Sequence, residues 1–489
     1  TPYSRHCMRR LENGVDPVVK GPAMMNLDGL LFNFTTGAVR PRLRLFVKSL
    51  AEFSLHWLHV LVNFFPGLWH PGLADKPPAT CVFGIGMESL FIDGGDARFV
   101  QFCRQGRITP LAAAHRLIIQ AASPRISSDP EHFHYGRFPL FILANTTPMR
   151  VGTRVKGVLD HLRMLWTFFG GLYRWPLIVV LARDFAYTPL VTMLDRLNAI
   201  EATVITNSTY SSQPLWMRGS PGRRFAVHMI WYSQNTIPFV YAQDRIVSDL
   251  PNYRHLKVDE SWLWTQEYAN YLEHLGVKGK MHVIGPILWY LPGKPVDRHS
   301  GNEIRIAIFD VTPVSMAFAQ NFGLIYNYYR AETMARFIEE IVAVRKEIES
   351  RTKTRVRLLL KHKRDYYPMH DARYVELIEQ RVRRNDLELV PHQADVYSLL
   401  EECHFSISIP YTSTAYIANH IGKPAIYFDP MAELVPTHAT APFISFASGR
   451  SQLLETALRL IIYPQGVSSR LTADCVDRCS DLRLDNDRD

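Results

Sequence analysis

Regular alternation restricts this chain more than any other feature. From residue 304 onward, apolar runs of strand length (304–309, 356–360, 387–390, 405–409, 424–428 and 443–446) alternate with runs of helical period (331–350, 372–384, 396–402, from near Ala415, and 451–462). Strands separated by single helices and short connections build a parallel, doubly wound sheet. The most informative piece is 404–430, HFSISIPYTSTAYIANHIGKPAIYFDP. Its first strand stops at Pro410, and Thr412, Ser413 and Thr414 follow directly. Hydroxyl residues there can cap the next helix and leave backbone N–H groups aimed at an anion. Gly422 is placed to end that helix, and Asp429-Pro430 to close the second strand. A helix N-terminus at the carboxyl end of a strand suits a phosphate, and suits an ordinary capped helix equally well.

The same alternation runs through 79–291. It begins with TCVFGIG at 80–86, and further strands are expected at 140–144, 177–182, 202–206, 225–231 and 282–287. Helical patterns lie at 110–122, 155–169 and 189–199. The Pro/Gly-rich stretch 292–303 reads as a linker. The expected organisation is an N-terminal helical or irregular segment (1–78, with a helix over 42–65), a first Rossmann-like domain (79–291), the linker (292–303), a second Rossmann-like domain (304–465) and a polar tail (466–489). Two α/β domains of similar size, facing a cleft across a hinge, are the GT-B outline. Periplasmic-type binders share it, so the fold alone decides no function.

Composition narrows the partners. Lys and Arg exceed Asp and Glu by nine, which favours anionic ligands such as nucleotides or phospholipid head groups. The basic residues concentrate at one loop and its helix with little aromatic interleaving, which argues against nucleic acid. Six cysteines form neither a disulfide framework nor a paired CxxC, pointing to a reducing, cytoplasmic compartment. The first forty residues hold no continuous apolar core of the secretory type. Two stretches, 53–69 and 164–182, approach membrane character but are interrupted, the first by His56, His59, Asn63 and Pro66-Gly67, the second by Gly170-Gly171 and Arg174. A core helix and a helix-then-strand are expected of them, with peripheral membrane contact left open.

Chemistry concentrates at two strand ends. Lys361-His362-Lys363-Arg364 follows the strand at 356–360; from Arg351 to Asn385 there are eleven Lys/Arg against four Asp/Glu, a net of +7. Open α/β sheets bind ligands at this edge, so the loop and the hydroxyl run 412–414 could clamp one phosphate from two sides. His362 could also stabilise charge developing on a leaving phosphate. Asp310 and Asp429 close strands at the same edge, where a carboxylate can touch a ribose or base, or cap a turn. In the first domain Glu88, Asp93, Asp96 and Asp184 are the acidic residues expected at strand ends, with His228 behind them; Glu88 leads as a general base, because it follows the glycine turn of the first strand. His228, Tyr232, Gln234 and Asn235, in HMIWYSQNTIP, suit a hydroxyl-rich ring or a buried polar network.

These motifs carry a resemblance. Pro410-Tyr411-Thr412-Ser413, with STAYIANHIGKPAIYFDP after it, IFDVTP at 308–313, the 361–364 loop, HMIWYSQNTIP and GPILWY, resembles the bacterial surface-polysaccharide biosynthesis proteins named for a Pro-Phe-Thr-Ser motif, over roughly 200–430. Tyr411 stands in place of the phenylalanine. More distantly, the pairing is similar to the His-Pro and Ser/Thr motifs of bacterial sialyl- and Kdo-transferases, with Lys363 where their proline lies. The resemblance implies a metal-independent, inverting GT-B glycosyltransferase that takes a nucleotide sugar, by the second likeness a CMP-linked ulosonic acid, and passes it to an oligosaccharide or lipid-linked glycan. It implies no cofactor. Lys361, His362, Lys363, Tyr411, Thr412, Ser413, Thr414, Asp310 and Asp429 would then face the donor, with Glu88, Asp184 and His362 catalytic. A UDP- or GDP-sugar transferase, a nucleotide-sugar 2-epimerase and a non-catalytic scaffold share the architecture.

Overall fold

The computed structural model describes residues 24–27, 30–33, 38–41, 43–64, 77–85, 98–120, 132–136, 138–206, 213–218, 222–232, 256–285, 287, 303–316, 328–362, 366–391, 394–436 and 441–462. The chain divides into two compact units, one of Thr1–Tyr232 with Leu250–Tyr290, the other of Ser233–Asp249 with Leu291–Asp489. Except for Glu303, the expected linker lies outside the described residues, as does the tail.

The first unit opens with a small antiparallel sheet, β1 (Met24–Leu27), β2 (Leu30–Asn33) and β3 (Ala38–Pro41), where an irregular or helical segment was expected. A 21-residue helix, α1 (Leu43–Asn63), follows. The main sheet then contains β4 (Ala79–Val82), β5 (Leu117–Gln120), β6 (Phe133–Gly136), β7 (Ile200–Thr206), β8 (Ala226–Ile230), β9 (Glu260–Leu263) and β10 (Lys280–Val283), all parallel, in the order β10-β9-β8-β7-β4-β5-β6. Helices α2 (Val151–Arg174) and α3 (Ala182–Arg196) cross between β6 and β7.

Three expectations fail in this unit. Residues 140–144 are helical, within Pro139–Asn145, because Pro139 at the first helical turn fixes φ where no N–H partner is needed. Of the strand expected at 177–182, all but Ala182, which opens α3, lies in a 3-10 turn, Pro176–Leu181, although Ile178, Val179 and Val180 favour strands. The expected helix 110–122 is a short turn, Thr109–Ala112, followed by β5. Gly170-Gly171 does not break α2. A Cβ at Gly171 would lie 2.5 Å from Ile178 Cδ1, so the glycine lets the 3-10 turn fold back against the helix.

The second unit follows the expected alternation closely: β11 (Ile304–Phe309), α4 (Ala331–Thr352), β12 (Val356–Lys361), α5 (Ala372–Arg383), β13 (Glu388–Val390), α6 (Val396–Glu402), β14 (Phe405–Ser408), α7 (Ser413–His420), β15 (Ala425–Asp429), β16 (Ile444–Ser448) and α8 (Gly449–Ile462). Its six parallel strands lie in the order β13-β12-β11-β14-β15-β16. Local chemistry supports each element. Met334, Phe337, Ile338, Ile341 and Val342 bury the apolar stripe of α4. Asp371 caps α5 by accepting from Arg373 and Tyr374 N–H, and Asp395 caps α6 through Ser398 N–H. Gly422, at φ +70°, ends α7. Every residue of β11, β14 and β15 is buried, as a sheet covered on both faces requires.

Both large sheets have a topological switch point, where successive crossovers depart in opposite directions: between β4 and β7 in the first unit, and between β11 and β14 in the second. Ligands of open α/β sheets bind in the crevice at the carboxyl ends of those strands.

Candidate functional site

In the second unit the switch point collects the residues singled out from sequence. β11 ends at Asp310, and β12 and β14 flank it on either side. Asp310 is buried; its Oδ2 accepts from Tyr374 Oη at 2.6 Å and lies 3.5 Å from His362 Nδ1, just beyond β12. His362 is buried as well, and its Nε2 meets Tyr366 Oη at 2.6 Å. Burial pushes the hydroxyls of Tyr366 and Tyr374 well above the ordinary tyrosine range, with the Asp310 charge adding to both. Both stay protonated, so Tyr374 donates to Asp310; with the His362 ring N–H on Nδ1, the nitrogen that faces the Asp310 carboxylate, Tyr366 donates to Nε2. Asp310 Oδ1, His362 Nδ1 and Thr312 Oγ1 are buried with no hydrogen-bond partner. Orphaned buried polar atoms are costly, and three of them at a switch point mark a place shaped for a polar ligand. Lys361 ends β12; burial lowers its ammonium pKa and the Asp395 charge opposes the shift. Lys363 and Arg364 lie outside the described residues.

On the other side of β11, the chain leaves β14 through Pro410 and Tyr411. Tyr411 adopts φ +64°, a left-handed conformation costly for a residue with a Cβ, and its ring is wholly buried. Three tyrosines hold this turn: Tyr411 Oη donates to Val435 O at 3.0 Å, Tyr329 Oη to Pro410 O at 2.9 Å and Tyr427 Oη to Thr412 O at 2.6 Å. The chain then enters α7 at Ser413. Thr412 stands at the N-cap, but its hydroxyl turns back to donate to Ile409 O at 3.0 Å and makes no cap. Thr414 Oγ1 pairs with Ser408 Oγ at 2.9 Å. The first turn of α7 therefore keeps its N–H dipoles without a side-chain cap, which is the condition for receiving an anion.

Asp429 has another occupation. Fully buried at the end of β15, its carboxylate accepts from Tyr328 Oη and from the N–H groups of Met431 (3.0 Å) and Leu434 (2.7 Å). These bonds hold the turn after β15.

The first unit presents fewer of the expected residues. Glu88, Asp93, Asp96, Gln234 and Asn235 lie outside the described residues. At the switch point, Gly84 takes φ +75° and its carbonyl accepts from Thr206 Oγ1. Asp184 is not at a strand end but in the first turn of α3, where it accepts from Leu215 N–H at 3.0 Å. Burial raises its carboxyl pKa, against the Leu215 N–H and the charges of Arg183 and Arg218. His228 sits mid-strand in β8 and is buried, its Nδ1 3.7 Å from Glu260 Oε2; Glu260 also meets His282 Nε2 at 3.1 Å. Burial lowers the pKa of His228 although Glu260 and Asp259 oppose the shift. Tyr232 is half-buried just beyond the end of β8.

Sequence reasoning passed over Thr312, Tyr366 and Tyr374. Thr312 lay in plain view inside IFDVTP. The tyrosines gave no periodic signal, because one stands outside any helix or strand and the other points inward from the first turn of a helix.

A family model described as polysaccharide biosynthesis PFTS motif protein matches residues 161–457, well over half of the chain. The chain belongs to this family. Its motif stands here as Pro410-Tyr411-Thr412-Ser413, the turn that delivers α7 to the switch point. No curated protein matches the chain. Among solved structures, HepE from Anabaena, in complex with UDP-glucose, is similar over 82% of this chain and 95% of its own, at 12% identity and a TM-score of 0.42. UDP-GlcNAc 2-epimerase from Methanocaldococcus jannaschii is similar over 83% and 99%, at 9% identity and 0.42. TarM is similar over 60% of this chain, at 9% identity and 0.35, and there the chain spans about half of the relative, 55%.

Proposed function

We propose that the protein is a metal-independent GT-B glycosyltransferase of surface-polysaccharide biosynthesis, which takes a sugar from a nucleotide donor and passes it to a glycan acceptor. One observation carries the reading: an uncapped helix N-terminus and three orphaned polar atoms, on Asp310, Thr312 and His362, share one switch point in a family of polysaccharide biosynthesis proteins. In this reading the α7 N-terminus receives the donor phosphate, with Lys361 and Lys363 supplying the positive charge that other transferases take from a metal and His362 a ring N–H. Asp310 Oδ1 accepts from a ribose hydroxyl. For the nucleotide we propose CMP and for the sugar an ulosonic acid, on the pairing of a histidine-bearing loop with a hydroxyl-bearing one. With Tyr366 donating to Nε2, the ring N–H of His362 stands on Nδ1, and it is this N–H that meets the leaving phosphate. The acceptor's proton goes to a carboxylate of the first unit, Asp184 or Glu88. A raised pKa suits Asp184 to that work. The acceptor is an oligosaccharide or a lipid-linked glycan, and with the latter the protein works at the periphery of a membrane.

Incubation with CMP-, UDP- and GDP-sugars, with and without lipid-linked glycan acceptors, tests the proposal. Acceptor-dependent release of nucleotide is expected from one donor class. Conversion of a donor without acceptor would make the protein an epimerase, and no turnover or binding of any donor would refute the transferase reading.

A further inference from the structure

The two long helices of the first unit leave an apolar surface whose pattern says what covers it. Along α2, Val151, Val155, Leu159, Leu162, Trp166, Phe169 and Tyr173 recur at intervals of three and four residues, and all are exposed, Trp166 by 83% and Tyr173 by 92%. That spacing places them in one stripe. The opposite face, with Gly157, His161 and Phe168, is buried. Helix α1 has a matching stripe of Leu43, Val47, Leu55, Leu58 and Val62, all exposed, opposite buried Phe53 and Val60. Both helices pack on α3, where Phe53 and Phe168 share one apolar cluster with Ala182 and Ala186. Phe53 stacks on Phe168 at 4.1 Å, Trp57 stacks on His161 at 4.4 Å, and Phe169, itself in the exposed stripe, meets Phe53 edge-on at 6.0 Å.

Charge identifies the occupant. The two helices carry six Lys/Arg (Arg44, Lys48, Arg154, Lys156, Arg163, Arg174) against Glu52 and Asp160. Both acids face cations, Glu52 at 3.8 Å from Lys48 and Asp160 at 2.7 Å from Arg196. Lys156, Arg163 and Arg174 share one flank of the α2 stripe, each about a quarter-turn from it. Trp166 and Tyr173, amphipathic rings suited to a head-group boundary, stand within the stripe. An apolar stripe with interfacial aromatics and a basic flank is the composition of a helix lying in the plane of an anionic bilayer. A second copy of the chain would instead bring like charge against like. Helix α1 is long and apolar enough to cross a membrane. Phe53 and Val60 are nevertheless buried against the fold.

We propose that the exposed stripe of α2 is a monotopic docking face for anionic phospholipid. The proposal gives the peripheral-membrane reading above its surface and lipid class, and its test needs no nucleotide, so the two fail separately. Full-length protein is sedimented with vesicles of phosphatidylglycerol and phosphatidylcholine, or of phosphatidylcholine alone. Binding to the anionic vesicles is expected to exceed that to neutral ones about tenfold or more and to weaken with salt. Leu159→Glu/Trp166→Glu should abolish binding, and Lys156→Glu/Arg163→Glu/Arg174→Glu should lower it about tenfold or more. All five residues are solvent-facing, so both variants should keep the parent melting temperature; if either does not, Tyr173→Glu, at the most exposed position, replaces it. Equal binding by parent and variants would overturn the proposal. So would a dimer or a soluble-protein complex that the Leu159→Glu/Trp166→Glu variant disrupts, in a protein that ignores vesicles.

Discussion

Replacing Asp429 by alanine separates a structural carboxylate from a ligand-binding one. The side chain is fully buried and accepts three hydrogen bonds, from Tyr328 Oη and the N–H groups of Met431 and Leu434. Hydrogen bonds to a charged group contribute about 1.5–3 kcal/mol each, and donors left buried without a partner carry their own desolvation cost. The contributions do not add fully, so the expected loss is about 3–5 kcal/mol. In a unit of this size that lowers the melting temperature by roughly 10 °C. Asp429→Asn keeps an oxygen acceptor and should lose about half as much, and Tyr328→Phe, which removes one donor, about 1–2 kcal/mol. Urea unfolding followed by circular dichroism reads these differences, and nucleotide titration of the folded variants reads the alternative. If Asp429→Ala unfolds within about 1 kcal/mol of the parent while nucleotide binding disappears, Asp429 faces the donor and the assignment to the turn is wrong.

Tyr366→Phe removes the 2.6 Å donor that keeps the His362 N–H on Nδ1 and should weaken nucleotide binding by about fivefold, the worth of one hydrogen bond; unchanged or tighter binding would mean that Tyr366 does not orient His362. Tyr411→Phe, which loses the bond to Val435 O, should cost about 1 kcal/mol of stability and leave turnover unchanged. For Asp184 the folded pKa is raised, so its contribution to stability is complete below the unfolded carboxylate range and is lost as pH rises through the folded value. Asp184→Asn should thus melt above the parent at neutral pH, the gap closing in acid, and should lose activity if Asp184 is the base. His161 behaves oppositely. Burial holds its pKa at about 4, against the bond to Trp57 O, so stability present above the unfolded value near 6.5 falls away as pH drops toward 4. His161→Gln should flatten that slope in a pH series of melting curves.

The second unit was legible because its local signals agree. Asp371, Asp395 and Gly422 punctuate the helices where the hydrophobic period changes, and every strand from β11 to β16 was expected near its observed position. The first unit hides more. Leu140 to Ala144 and Ile178 to Val180 are apolar runs too short to show a period; Pro139 starts the first as a helix, and packing on α2 and α3 holds the second as a 3-10 turn. Strands β5, β6 and β9 are only four residues long, and β6 and β9 are interrupted by His134 and by Ser261. At the site, sequence located Asp310, His362 and the hydroxyl turn. It could not reveal that Thr412 leaves α7 uncapped or that Tyr366 covers His362, because both depend on side-chain direction. Nor could it separate Asp310, with an oxygen unpartnered, from Asp429, whose oxygens are occupied; in sequence each is simply an aspartate at a strand end.

The central claim is that the N-terminus of α7 receives a nucleotide's phosphate, and Ser413→Pro tests it most directly. Ser413 is the first residue of the helix and Thr412 before it has ψ 151°, so proline fits there without breaking the helix while deleting one N–H. Calorimetric titration of the parent with CMP, UMP and GMP should find one that binds, CMP by the present account. Ser413→Pro should weaken that binding about tenfold relative to Ser413→Ala, which also lacks the hydroxyl but keeps the N–H. Undiminished binding in the proline variant, or no binding of any of the three to the parent, would contradict the account.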